Sequence, residues 1–174
     1  MFLVALMGFF GMFSDEAIYE KISQKIQQRY QVEVLKPMGI GISAIGGSSK
    51  KGIKMIHMGV STRGPGSVKE ARKLMVFLFT ELLNRYKNNT AIRPYLLDDP
   101  FTEKNIEFSI RFVDSKGIYC RKDKSKNDED QVAYVTCYNG RVKFMVDDEG
   151  GLTPFRPILI ESFQDALRIA QKSR

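Results

Sequence analysis

The strongest chemical feature of the chain is Arg63-Gly64-Pro65-Gly66-Ser67, which basic residues follow at 69, 72 and 73. Gly and Pro break the preceding strand, and Ser67 with Glu70 has the spacing of a capping box, so a helix begins here. Free backbone N–H groups and the positive end of a helix dipole, beside Lys69, Arg72 and Lys73, would suit a phosphate, sulfate or carboxylate. Lys50, Lys51 and Lys54 extend this patch if the hairpin carrying them folds beside the helix. Arg63, Gly64, Gly66, Ser67, Lys69, Arg72, Lys73 and those three lysines are therefore the candidate anion- or partner-binding residues. A capped helix whose basic residues face water accounts for the same residues, so the patch by itself names no ligand.

Other constellations carry less. Gly39-x-Gly41-x-x-Ala44 has the letters of a dinucleotide fingerprint, but the turn Ile45-Gly46-Gly47 follows where the helix should begin. In the Gly/Lys run 46–54, Gly52 precedes Ile53 rather than Lys, so no phosphate-binding P-loop is spelled. His57 is the only histidine, and Cys120 and Cys137 do not have zinc-ligand spacing. A Cys–His nucleophile pair stays open on sequence separation alone, although Cys137 falls on an apolar hairpin face, where a thiol is inert packing. No G-x-S-x-G elbow accompanies the histidine. The acids at 98–99, 128–130 and 147–149 neighbour Pro, Asn or Gly, where turns recruit carboxylates, and none follows the calcium-loop pattern. No catalytic residue, metal or cofactor is assigned.

The elements that must position these residues are legible from periodicity. Ser14 can cap a helix from Asp15 to about Tyr30, with Ile18, Ile22 and Ile26 on its buried stripe. Val32–Leu35 reads as a short strand, Met38–Ile45 as a second, and Ile53–Thr62 as the return strand after the turn at 46–52. The helix after Ser67 runs to about Asn88 and is apolar nearly all round in its middle, which makes it central and covered on two sides. An irregular linker, 89–102, holds Pro94 and Pro100, with Tyr95, Leu96 and Phe101 available to anchor it. Ile106–Val113 alternates as a strand, and Ile118–Lys122 reads as another. Val132–Tyr138 and Arg141–Asp147 flank Asn139-Gly140, the strongest short-range hairpin signal. A two-residue turn puts Ala133, Val135 and Cys137 on one core face with Val142, Phe144 and Val146, and turns Tyr134, Tyr138 and Lys143 the other way. Pro157–Ile160 is a short strand, and Ser162 caps a last helix. Hairpin-joined strands dominate. The expected fold is α+β, a mainly antiparallel sheet of five to seven strands, with a long central helix and N- and C-terminal helices packed on one face.

Length and composition agree with one domain. The chain has 174 residues, 43% of them hydrophobic, enough to bury a core and to exclude disorder as the main state. The formal charge is +7. Residues 1–87 hold 13 Lys/Arg against 6 Asp/Glu, whereas 88–174 hold 14 of each, so the whole excess lies in the first half. Such a field attracts acidic macromolecules, anionic envelope components or nucleic acid. No RNP, KH, zinc-finger or helix-turn-helix signature supports the last of these. Tyr134 and Tyr138 beside Lys143 would be the bases' stacking surface in that case.

Met1–Phe13 carries no charge and no polar side chain. At about 1.5 Å per residue it is too short to span a bilayer but has the length and apolarity of a signal-peptide core. It lacks a preceding Lys or Arg and a following A-x-A-like site, as a start codon placed too late would leave it. The expected division is thus an apolar segment, 1–13, and one α+β domain, 14–174, exported if the first segment is a signal and cytoplasmic otherwise. A hairpin about 123–130 would set Cys120 opposite Ala133 and leave Cys137 roughly 13 Å away, beyond disulfide reach. Two buried free thiols are expected.

From Asn84 to Phe112, with Ile92-Arg93-Pro94-Tyr95-Leu96 and Pro100-Phe101-Thr102 as its most specific parts, the chain resembles small exported bacterial proteins of unassigned function. The resemblance covers about thirty residues and implies export, with no activity and no catalytic residues attached. The leading expectation is an exported, non-enzymatic interaction protein using a basic face around residues 50–73. A small hydrolase or transferase near His57 and the 63–73 loop is the second reading, and a cytosolic nucleic-acid-binding domain the third.

Overall fold

The protein is described by a computed structural model covering residues 7–48, 51–148 and 154–172, with side chains in the first helix from Ile18 onward. Helix α1 (Met7–Tyr30) continues through a π-helical turn, Gln31–Leu35, and a 3-10 turn, Lys36–Met38. Gly39, at φ +68°, stops it with a left-handed residue that only Gly adopts freely. Strands β1 (Gly41–Ser48) and β2 (Met55–Arg63) follow, then α2 (Val68–Lys87), then β3 (Ile106–Val113). Strands β4 (Tyr134–Tyr138), β5 (Arg141–Asp147) and β6 (Phe155–Ser162) lead to α3 (Phe163–Lys172).

The fold is α+β. Six strands lie in sequence order across one sheet. β2 and β3 are parallel, and the other neighbours are antiparallel. Helix α2 explains the exception: its 20 residues span about 30 Å, which carries the chain back along the sheet before β3 begins. All three helices belong to one layer, with α2 over β3 and β4, α3 over β5 and β6, and α1 against α2. Alternation fixes which side chains lie beneath them. β3 reads buried at Ile106, Phe108, Ile110 and Phe112, and half-buried at the residues between. Phe79 of α2 meets Phe108 edge-on at 6.3 Å and Phe163 at 4.5 Å, so the central helix ties sheet and last helix together.

The polar interior is placed by α1. Tyr86 of α2 is fully buried, and its hydroxyl is bonded to Ser23 at 2.7 Å and accepts from Gln27 Nε2 at 3.2 Å. The Tyr30 hydroxyl donates to the Leu78 carbonyl at 2.9 Å. The 89–102 linker is held by apolar anchors: Ile92 and Phe101 are buried, and Phe101 stacks on Tyr86 at 6.0 Å.

Several expectations are corrected. The first helix begins at Met7, so Ser14 lies within it rather than capping it. Met1–Leu6 lie outside the described residues. Val32–Leu35 is helical, not a strand, because Val34 extends the buried row of Ile26 and Tyr30 at four-residue spacing. Ile118–Lys122 forms only one bridge, Tyr119 to Val113. Asp114 causes this: its carboxylate accepts from the N–H groups of Lys116 and Ile118, and Gly117 at φ +79° closes the turn. The chain therefore doubles back at 114–118, and Cys120 lands beside Phe112 instead of Ala133. The Asn139-Gly140 hairpin forms with Tyr138 paired to Arg141 and φ of 49° and 70° at its two turn residues.

Candidate functional site

At the start of α2 the loop is bound into the fold. The Gly64 N–H donates to the Val113 carbonyl at 2.9 Å, and Gly66 exchanges backbone bonds with Val132. A side chain at Gly66 would come within 2.8 Å of the Phe112 ring, so Gly is required there for close packing. Ser67 and Glu70 form the capping box: Ser67 Oγ accepts the Glu70 N–H at 3.2 Å, and the Ser67 N–H donates to Glu70 Oε2 at 3.0 Å. The Ser67 backbone N–H, then its hydroxyl, hold the Glu70 carboxyl below the usual carboxylate range. The N–H groups of Gly64, Gly66, Ser67 and Glu70 are thus already spent on internal acceptors.

The cations divide. Arg63 and Lys69 are exposed. Arg72 is not: Nε reaches Glu161 Oε1 at 2.7 Å and a terminal nitrogen reaches Oε2 at 3.1 Å, with side chains only 12% and 10% exposed. Its guanidinium also lies 5.4 Å from the Phe144 ring centre. Lys73 is half-buried in the groove between α2 and α3, beside Leu167 and Ala170. Lys51 and Lys54 are exposed just before β2, whereas Arg63 ends that strand. Nine extended residues separate them, about 30 Å at 3.3 Å each. Lys50 lies outside the described residues. The candidate set therefore forms no single face: Arg63 and Lys69 stand at one end of the sheet, Lys51 and Lys54 at the other.

His57 stands on the sheet face opposite the helices, because its neighbours Ile56 and Met58 point into the core. Its Nδ1 lies 2.7 Å from Glu107 Oε2 on the parallel strand β3, and both side chains are 42% exposed. The surrounding floor is low. Gly46 pairs beside His57 on β1, and a side chain at Gly59 would meet the hydroxyls of Ser43 and Ser109 at 2.9 and 3.1 Å. This pair orients one imidazole nitrogen, as a carboxylate does in many catalytic and metal sites. The rest of such a site is elsewhere. Arg63 lies six residues on, about 20 Å along the strand. Cys137 pairs with Phe108 and Val142 on the helix-side face, and Cys120 hydrogen-bonds to Phe112 far along β3. Burial pushes the Cys137 thiol up to about 12, aided by Glu103, and raises that of Cys120. Both thiols are free and buried.

Of the aromatic residues on this open face, Tyr138 is exposed, and Tyr134 packs with Tyr119 and Phe155 at 6.3 and 5.1 Å. Arg111 covers Tyr119 at 5.5 Å. Glu107 and Glu161, the partners that decide the roles of His57 and Arg72, carried no signal in the sequence. Each is an ordinary alternating polar residue of a strand, and its partner is chosen by a neighbour 50 or more residues away.

Among the described residues, no group of three or more His, Cys, Asp or Glu is arranged to hold a metal ion, and no helix is long and apolar enough to cross a membrane. Compared with protein families, curated proteins and solved structures, the chain shows no significant match.

Proposed function

We propose that this chain is an exported interaction protein that meets an anionic component of the cell envelope through Arg63 and Lys69. The observation that carries the reading is the pinned backbone from which these two exposed cations project. The loop between them is pinned to Val113 and Val132, and the helix that bears Lys69 is fixed by the Ser67–Glu70 box. A backbone that is already ordered adds little further entropy cost on binding, which leaves more of the charge attraction as affinity. Export draws on the apolar run Met1–Phe13 and on the resemblance of residues 84–112.

Co-sedimentation with phosphatidylglycerol-containing vesicles, with retention on heparin-agarose as a second arm, tests the binding. The expected result is retention that falls steeply with salt and is lost in Arg63→Glu/Lys69→Glu, but kept in Lys51→Glu/Lys54→Glu. Retention indifferent to both salt and the first pair of reversals would refute it. Export is tested by mass spectrometry of the mature N-terminus, which should begin near Ser14.

A hydrolase or transferase built on His57 draws support from the 2.7 Å contact with Glu107. Turnover in an ester, phosphoester and glycoside panel that His57→Ala abolishes would favour it over a binding role.

A further inference from the structure

We propose that the chain forms a two-fold dimer by pairing the free edges of its β1 strands, giving one continuous twelve-stranded sheet. This inference stands independently of the binding role of Arg63 and Lys69. β1 and β6 are the two edges of the sheet, and they are built differently. β6 reads Phe-Arg-Pro-Ile-Leu-Ile-Glu-Ser and carries the charges and proline that keep an open edge from pairing. β1 reads Gly-Ile-Ser-Ala-Ile-Gly-Gly-Ser, with no charge and no proline. Among the described residues its protection is an irregularity between Ile42 and Ala44, which leaves Ala44–Ser48 in regular register.

A two-fold antiparallel pair sets a strand against itself, so any charge on it meets its own kind or a near neighbour. An uncharged strand avoids that cost. The edge also holds both halves of a self-complementary contact. Ile45 pairs with Met58 and so lies on the helix side of the sheet, yet it is 53% exposed. Beside it a cleft of about 260 Å³ opens between α1 and the β1–β2 hairpin, lined by Tyr19, Ser23, Gln27, Ile45, Gly47 and Ile53. Directly opposed residues of an antiparallel pair share a face. With the two-fold near Ile45 or Gly46, Ile45 of each copy falls opposite residue 45 or 47 of the other. Both positions line the cleft, so each Ile45 fills the other copy's cleft. Knob and hole on one strand are what an isologous interface needs, and a heterologous peptide would have no reason to match both.

Sedimentation velocity of the full chain should give twice the 19.9 kDa monomer mass. Ile45→Lys should restore the monomer with an unchanged circular dichroism spectrum. Ile160→Lys, the same change at an exposed position of the opposite edge, should leave the dimer intact. Amide exchange at residues 44–47 should slow in the dimer relative to Ile45→Lys. A wild-type monomer up to about 100 µM, a dimer that survives Ile45→Lys, or a dimer without slowed exchange at 44–47 each overturns the proposal. A monomer that instead captures an extended peptide on β1 does so too.

Discussion

Arg72 of α2 and Glu161 of β6 are joined by two hydrogen bonds, at 2.7 and 3.1 Å, over the ring of Phe144. A cation that the sequence groups with a surface patch is in fact a fastener between the central helix and the last strand. The two side chains are close to nine-tenths buried, so little water remains to solvate either charge if its partner is removed.

Glu161→Gln should therefore cost about 3 kcal/mol, because it leaves Arg72 without its counter-charge. Urea unfolding at neutral pH measures this directly. Arg72→Met/Glu161→Leu should recover most of the loss, since replacing both charges by apolar groups leaves neither ion stranded. A loss below about 0.5 kcal/mol in the single variant would mean the pair is solvated in solution.

The same logic separates the Arg72–Glu161 pair from the His57–Glu107 contact. His57 and Glu107 are each 42% exposed, so Glu107→Gln should change stability by less than about 1 kcal/mol. Thermal unfolding of the two glutamine variants side by side should rank Glu161→Gln as much the more damaging.

Tyr86→Phe removes the hydroxyl that serves both Ser23 and Gln27. Two buried polar groups lose a partner while the ring and its stacking on Phe101 stay. A loss of about 1–3 kcal/mol is expected, read as a lower urea midpoint with an unchanged slope.

Cys137 gives a pH signature. Its thiol ionises near 9.0 when unfolded and near 12 when buried. A raised folded value means the contribution is complete below pH 9 and is lost as pH rises from 9 through 12. Each pH unit in that window removes about 1.4 kcal/mol. The stability advantage of wild type over Cys137→Ala should shrink at that rate above pH 9 and stay constant between pH 6 and 8. Equal slopes for both chains would show that the native thiol is reachable by hydroxide.

Local signals were enough where the residues that matter are close in sequence. Ser67 and Glu70 announce a capping box, and one forms. Asn139-Gly140 announces a two-residue hairpin, which sets Ala133, Val135 and Cys137 with Val142, Phe144 and Val146 in the core. The α+β class followed from the same patterning. Boundaries failed where a short apolar run has no period of its own: Val32–Leu35 is too brief to distinguish strand from helix, and the neighbouring α1 decided it. At 118–122 the carboxylate of Asp114, four residues upstream, turned the chain before a strand could pair.

By itself, then, the sequence determined which residues are apolar at which spacing, hence the elements, the buried faces and the excess of cations in the first half. Only the tertiary structure decided what each cation does. Strand β2 holds Lys54 and Arg63 about 30 Å apart, and Glu161 of β6 withdraws Arg72 into the helix–sheet boundary. Periodicity is a property of neighbours along the chain. Pairing between charges far apart in sequence is a property of neighbours across the fold, and outside a tight hairpin no local pattern records which elements will lie side by side.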